Sequence, residues 1–580
     1  MSHSTNLLTG GQVVSRVLKA HGINTAFSLA GVAHAQVLYA MHDDGFNIVS
    51  SRNETATVAA ADGYARVSGK VGVAMIVGYQ GMPNVLGGVR TAQLACSPVV
   101  LLVGLTAAQV AESGDEETND GLDMIKPFVK WAKAVPAADR IEEYLNAAIR
   151  AATSGRPGVA VLGITQSQEA AQVDPSKVTA LAPTLAKPAE ASSAGIAEAA
   201  ALLAKAQRPL ILTGSGAALS GAAAPLQALA NDFGIPVFGH ALGRGLVAED
   251  MVHGFPWAFA QVAAKDADVV VVAGMRLTQR IGFGMPPRFN KDATFIQIDI
   301  AAEELGRNRP VDLGLAGDAA ASLTKLHQAL VAAKAPKTSS AWVNAATAGR
   351  AERIAELSTA KADGPLHPLR IGAELKDLMP EDAILVVDGA DIYNWMSSIL
   401  RVHRPRSYMD HYPLGSMGVG TPLALGGAAA AREESQETGK PTRTVVLVTG
   451  DGAFGFYPAE LNSFVLAGLK VICIVANDGA WGTEKNAQLN SRGMTVNCEL
   501  GFCDYHLMGD VFGCRGEKVV REDELRPALQ RAFAADQSTV LNVITDPDAG
   551  IERKKDPRLQ MVTFEDLQVS LKARHAPSVA

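Results

Sequence analysis

No apolar run in this 580-residue chain approaches the ~20 residues of a membrane-spanning helix, which argues against a helical membrane protein. The opening residues, MSHSTNLLTGG, lack a basic segment followed by an apolar core, so a secretory signal is not expected. The closing residues, HAPSVA, carry no lipidation or peroxisomal address. There is no surplus of positive charge. A net charge of −7 gives nucleic acid no electrostatic footprint to bind. Cysteine is scarce: Cys96, Cys473, Cys498, Cys503 and Cys514 are odd in number, and none forms a CxxC pair. That spacing supports neither a disulfide framework nor a zinc site, and reads as reduced thiols in a cytoplasmic protein. Aromatics are only 5% of the chain. What remains is an ordinary globular composition, long enough for roughly three to four domains.

The chain alternates helical and strand patterns, which means parallel sheets covered by helices. The first segment, 1–180, opens with an amphipathic helix, Gly10 to Ala20. Short strands at Ala26 to Leu29 and Ile48 to Ser51 follow, then an Ala-rich helix begun by Arg52-Asn53-Glu54. Strands Val71 to Val77, Val99 to Val103 and Gly158 to Leu162 complete it, with a Gly-rich turn at Gly78 to Asn84 and an exposed acidic loop expected at Asp115 to Asp120. Pro175 to Ser193, rich in Pro, Ala and Ser, reads as a linker. The second segment, 194–332, has strands at Pro209 to Leu212, Pro236 to Gly239, Val269 to Ala273 and Phe295 to Ile300. Its Gly214-Ser215-Gly216 turn fits a loose nucleotide fingerprint and equally a tight strand-to-helix turn. Arg276, Arg280 and Asp299 lie at strand ends and are candidates to hold an adenine nucleotide or CoA. Ala333 to Ser340 is a second linker, and the third segment spans 365–545. After Asp546 the chain is charged and irregular. Lys554, Lys555, Arg558, Lys572 and Arg574 make residues 546–580 a basic tail, read as a solvated face or as a lid over a phosphorylated substrate.

The most informative stretch is Thr449 to Gly482, TGDGAFGFYPAELNSFVLAGLKVICIVANDGAWG. A buried-strand run enters Gly450-Asp451-Gly452, and a second apolar strand ends in Asn477-Asp478-Gly479. Two parallel strand ends then deliver oxygens to one crevice, where ligands sit in open α/β sheets. Glycines at 450 and 452 let a phosphate approach the backbone, and the following helix offers free N–H groups. Asp451 and Asp478 are hard oxygen ligands suited to Mg²⁺. The expectation is a metal-bridged diphosphate.

These pieces together resemble the thiamine-diphosphate enzymes of the acetohydroxyacid synthase, benzaldehyde lyase and oxalyl-CoA decarboxylase type. The resemblance runs over nearly the whole chain in order: Glu54 on Arg-Asn-Glu, GYAR at Gly63 to Arg66, GSMGVG at Gly415 to Gly420, GDG, and a second acidic position 27 residues beyond Asp451. It implies three doubly wound α/β domains (pyrimidine-binding, middle and diphosphate-binding) and active sites shared by two subunits of a homodimer or homotetramer. It implies thiamine diphosphate and Mg²⁺, with Asp451, Asp478 and the Ala480 carbonyl on the metal. Asn477 would be the ligand if the register slips by one. Gly415 and Met417 would support the folded cofactor, and Asp391, Gly452, Ala453 and Asn84 would contact it. Glu54 would face the pyrimidine ring; alone, it would read as a helix-start carboxylate. The family's usual pattern is Asn-Asn where this chain has Asn477-Asp478.

Within the family, Arg-Asn-Glu and Ala453-Phe454-Gly455-Phe456 look like oxalyl-CoA decarboxylases and 2-hydroxyacyl-CoA lyases. DGADIYNWM and LGSMGVG look like benzaldehyde lyase, although the early-loop His of that enzyme corresponds to Ala30, with His34 further along. The implied reaction is cleavage of a 2-hydroxyacyl-CoA to formyl-CoA and an aldehyde or ketone, or its reverse. Glu484 in Trp481-Gly482-Thr483-Glu484-Lys485 is a candidate acid/base or, beside its Lys, a surface pair. The same segment is similar to sulfoacetaldehyde acetyltransferases. An acetolactate synthase acting on a 2-oxo acid such as pyruvate, perhaps with FAD in the middle domain, is the other rival. A non-catalytic thiamine-binding protein is the distant one.

Overall fold

The computed structural model describes residues 7–107, 109–110, 113, 121–179, 188–250, 252–347, 355–356, 358–359 and 365–550. The expected Asp115–Asp120 loop and the basic residues of the tail lie outside these. Three six-stranded sheets are present, and every strand pair inside them is parallel. The first has the spatial order Asn47–Ser50, Thr25–Ser28, Gly72–Val77, Val99–Leu105, Val159–Thr165, Trp131–Ala134. The second runs Gly254–Pro256, Val237–Gly239, Pro209–Thr213, Val269–Ala273, Thr294–Asp299, Leu313–Ala316. The third runs Tyr408–Asp410, Ile384–Asp388, Val445–Gly450, Val471–Asn477, Thr539–Ile544, Arg515–Val519.

Both faces of these sheets are covered, so the strands read as continuous apolar runs rather than alternations. In the first sheet, Met75, Val100 and Leu102 point into one apolar cluster, while Ala74, Leu101 and Val103 point into another on the opposite face. Each sheet winds outward in one direction and then returns to wind in the other. The reversal falls between Thr25–Ser28 and Gly72–Val77, between Pro209–Thr213 and Val269–Ala273, and between Ile384–Asp388 and Val445–Gly450. At such a reversal the loops leaving two neighbouring strands diverge and leave a crevice open.

The first and third domains are joined by two Ala-rich helices, Glu54–Ser68 and Gly420–Thr438. Small residues let their backbones touch. A Cβ on Gly63 would stand 2.3 Å from the Leu423 carbonyl oxygen, and one on Gly426 would stand 1.9 Å from that of Ala60. Polar side chains lock the seam. Glu433 accepts from Tyr64, Thr25 and Lys70, and the buried Asp62–Arg66 pair (2.6 Å) extends to the Asp410 carbonyl. GYAR at Gly63 to Arg66 is therefore part of a packing seam in this fold.

Gly450-Asp451-Gly452 passes directly into a four-residue helical turn, Asp451–Phe454. The longer helix that follows is Glu460–Leu466, and Gly468 takes the left-handed conformation (φ 61°) just after its end.

Candidate active site

The reversal point of the third sheet holds the acidic crevice. Ile384–Asp388 leads through Gly389 (φ 92°) to the helix Ala390–Ile399, which carries Asp391. Val445–Gly450 leads to Asp451, and Val471–Asn477 to Asp478. The crevice is lined by Asp391, Met417, Asp451, Gly452, Ala453, Asp478, Ala480, Trp481 and Glu484. Its open volume is about 70 Å³, enough for a cation and phosphate oxygens rather than a whole cofactor.

Asp451 and Asp478 face each other with little solvent to separate them. Burial pushes Asp451 up to about 6. Asp478 is raised as well, first by burial and then by the charges of Asp451 and Asp391. Two buried carboxylates side by side are costly when both are ionised, and a bound cation would relieve that cost. Asp451 Oδ2 is buried and has no hydrogen-bond partner, as an oxygen reserved for a metal would be. Among the described residues no cluster of three or more His, Cys, Asp or Glu is positioned to hold a metal. Two carboxylates with a backbone carbonyl suit Mg²⁺ whose remaining ligands come from phosphate and water. The glycines fit the same picture. A Cβ on Gly482 would collide with Asp478 Oδ2 at 2.5 Å, and one on Gly452 would strike Trp481 at 2.5 Å.

Asn477 is committed elsewhere. Its amide donates to the Cys503 carbonyl (2.9 Å) and to Asn542 Oδ1 (3.1 Å), and its Oδ1 accepts from the Gly479 N–H (3.1 Å). Asp478 is the one that lines the crevice. Glu484 is exposed at the rim, while Lys485 turns away to Asp548 (3.1 Å) and the Pro547 carbonyl. Asp391 Oδ2 accepts from Trp395 Nε1 at 2.8 Å, an anchor that the sequence reading lacked. Pro368 and Thr545 also line the crevice, brought there by an isolated bridge between Leu366 and Thr545. No local motif signals that long-range pairing.

Glu54 is absent from this crevice. It is buried at the start of its helix, and Asn84 Nδ2 donates to its Oε2 at 3.3 Å. Glu54 and Asn84 thus form a second cluster within the first domain. Gly415 lies in the loop that brings Met417 to the crevice and has φ 80°, a conformation glycine adopts without strain. His34 is buried behind the first sheet's reversal point, held neutral as burial pushes it down to about 4.

The reversal point of the middle domain holds a larger cavity of about 650 Å³. Gly214, Ser215 and Gly216 line it together with Arg276, Arg280 and Asp299, so the three candidate nucleotide residues do share one site. Arg276 donates to the Leu94 carbonyl at 2.5 Å, and Arg156 pairs with Glu304 at 2.8 Å on the same wall.

Comparisons with known proteins agree with this layout. Three family descriptions match in order: "Thiamine pyrophosphate enzyme, N-terminal TPP binding domain" over residues 8–124, "central domain" over 196–326, and "C-terminal TPP binding domain" over 388–543. The chain is 32% identical to an acetolactate synthase large subunit of Mycobacterium tuberculosis, covering 94% of this chain and 97% of that one. It is 31% identical to a 2-hydroxyacyl-CoA lyase of Oryza sativa, covering 94% and 96%. A benzoylformate decarboxylase structure from Polynucleobacter necessarius superposes with a TM-score of 0.78 at 21% identity, over 93% of this chain and 99% of that one, which speaks to the fold. With the matches in order along nearly its full length, the chain belongs to the thiamine pyrophosphate enzymes.

Proposed function

We propose that this protein is a thiamine-diphosphate-dependent carbon–carbon lyase and ligase that cleaves a 2-hydroxyacyl-CoA to formyl-CoA and an aldehyde or ketone, or joins them. The observation that carries the reading is the pairing of an acidic crevice with a cavity of about 650 Å³ in the adjoining domain, lined by Arg156, Arg276 and Arg280 together with Asp299, Glu304 and Asp318. The first suits Mg²⁺ and a diphosphate. The second has the volume and arginines for a phosphorylated adenosine group, either ADP or the CoA of the substrate. Similarity to 2-hydroxyacyl-CoA lyases supports the same choice.

Asp451, Asp478 and the Ala480 carbonyl would hold Mg²⁺, with Gly452 and Ala453 against the diphosphate and Asp391 beside it. Thiamine diphosphate, when bound, supplies a nucleophilic carbon and an electron sink for the bond being broken. Met417 and Gly415 would fix the cofactor's folded shape. Glu54, with Asn84 on its Oε2, would exchange a proton with the pyrimidine ring. Its separation from the crevice is met if Glu54 comes from a second subunit, and we propose a homodimer or a dimer of dimers. Glu484, on the rim and unpaired with its neighbour Lys485, would exchange the proton of the substrate hydroxyl.

A second reading, acetolactate synthesis from pyruvate, is favoured by relatives of that name at 32% identity. Two incubations separate them: formyl-CoA with an aldehyde or ketone, and pyruvate alone. A new 2-hydroxyacyl-CoA supports the lyase reading, and acetolactate from pyruvate as the only product overturns it.

A further inference from the structure

The loop from His411 to Gly418 carries the residues that would meet the cofactor, and it is fixed firmly at its two ends. Asp388 Oδ2 accepts from the Gly420 N–H at 2.7 Å, and Asp388 Oδ1 accepts from Gly389 at 2.7 Å. Asp410 Oδ1 accepts from the Tyr412 N–H at 3.2 Å, and the Gly415 N–H donates to the His411 carbonyl at 3.0 Å. Between those ends Pro413 and Leu414 are exposed, and Gly415 to Met417 are only half-buried. The loop is anchored from within by the buried ring of Tyr412. That ring packs at 4.0 Å on His411 and at 5.1 Å, edge to face, on Tyr393, and its Cε1 lies 3.5 Å from where a Gly415 Cβ would stand.

The Tyr412 ring is also covered from another domain. Arg280 places its guanidinium carbon 3.2 Å from the ring centroid. Arg280 belongs to the coil Gln279–Gly284, in which Gly282, Phe283 and Gly284 all have positive φ (64°, 56° and 72°). Only Phe283 among them is a non-glycine residue in the left-handed region, a conformation that persists where the surroundings hold it. A half-buried guanidinium over the face of a buried aromatic ring is an attractive contact as well as a steric stop.

We propose that Arg280 is a positioning residue for the cofactor loop: by clamping Tyr412 from the middle domain it holds Gly415 and Met417 where the cofactor must fold over them. The inference rests on the reading that this loop faces thiamine diphosphate. It assigns Arg280 a task distinct from binding a nucleotide, although the same residue lines the middle-domain cavity.

The test measures loop order and cofactor affinity in Arg280→Met, Arg280→Lys, Tyr412→Leu and the Arg280→Met/Tyr412→Leu double variant, each checked for a cooperative thermal transition. Hydrogen exchange of residues 411–418 in the cofactor-free protein is expected to quicken in Arg280→Met and to return toward wild type in Arg280→Lys, which keeps a cation over the ring. Titration with Mg²⁺ and thiamine diphosphate, followed by tryptophan fluorescence, is expected to show roughly tenfold weaker binding in Arg280→Met, in Tyr412→Leu and in the double variant alike. Unchanged exchange and affinity in Arg280→Met, or effects that add in the double variant, overturn the clamp. A wild-type protein that fails to bind thiamine diphosphate overturns the parent reading together with it. If Arg280→Met does not fold, Tyr412→Leu and Arg280→Lys carry the same comparison.

Discussion

The crevice of the third domain and the cavity of the middle domain occupy the same place in the same topology, and their linings differ in size and charge. Both sit where a six-stranded parallel sheet reverses its winding, and both are entered through glycines at strand ends: Gly450 and Gly389 in one, Gly214 and Gly274 in the other. The third-domain site converges Asp391, Asp451, Asp478 and Glu484 on about 70 Å³. The middle-domain site spreads Arg156, Arg276 and Arg280 around about 650 Å³, with Asp299, Glu304 and Asp318 among them. A repeated topology thus supplies the same opening, and a few side chains at strand ends distinguish the two: carboxylates alone in one, arginines interleaved with carboxylates in the other.

Breaking the acidic site should have the largest effect. Asp451→Ala is expected to lower turnover by roughly a thousandfold or more at any practical Mg²⁺ concentration, because a lone carboxylate cannot anchor the ion. Activity within tenfold of wild type would remove the metal from this crevice. Glu54→Gln comes next, with turnover down about 10² to 10⁴-fold and Mg²⁺ affinity preserved, since Glu54 lies outside the crevice. Matching losses of affinity and turnover would place Glu54 in binding instead.

The like-charged pair makes a pH prediction of moderate size. Asp451 in the folded protein stands at about 6, above the ordinary carboxylate value near 3.9, so the folded state holds more protons than the unfolded one across that interval. Stability of the metal-free protein should therefore be highest below about pH 4 with respect to this group, and fall as pH rises through about 6. Asp478, raised by burial and by the Asp451 charge, adds to the same fall. Thermal melts in EDTA are expected to show this loss. Mg²⁺ with thiamine diphosphate should reverse it at pH 8, and Asp478→Asn should flatten it while leaving an oxygen ligand. A melting temperature that rises with pH in the same variant-dependent way would contradict the account. In the middle-domain cavity, Arg276→Met should give the smallest effect, roughly a tenfold rise in KM for a CoA-bearing donor with kcat nearly constant. An unchanged KM would take CoA out of that cavity.

Much of this contrast was legible before any coordinates. Buried-strand runs ending in Gly-Asp-Gly and Asn-Asp-Gly place their acids at adjacent strand ends, because parallel strands in one sheet end on one side. Arg276, Arg280 and Asp299 were readable as a set for the same reason. What was hidden depended on distant pairings. Nothing local shows that Asn477 is consumed by Cys503 and Asn542, which leaves Asp478 to the crevice. Nor does it show that Arg280 lies on Tyr412, or that Thr545 returns beside Leu366. GYAR drew notice as a family feature. Its physical basis is an interhelical seam in which Gly63 admits the Leu423 backbone and Tyr64 reaches Glu433.

The central claim is that the acidic crevice is half of a site completed by Glu54 from another subunit, and mixed oligomers test it most directly. Glu54→Gln and Asp451→Ala are each expected to be inactive as homo-oligomers. Co-expressed in equal amounts in a symmetric dimer, they would pair at random, and half of the dimers would carry one intact site. The predicted result is recovery of about a quarter of wild-type activity. Mixed dimers as inactive as the two parents would contradict the shared site and place Glu54 and Asp451 of the same chain in one centre.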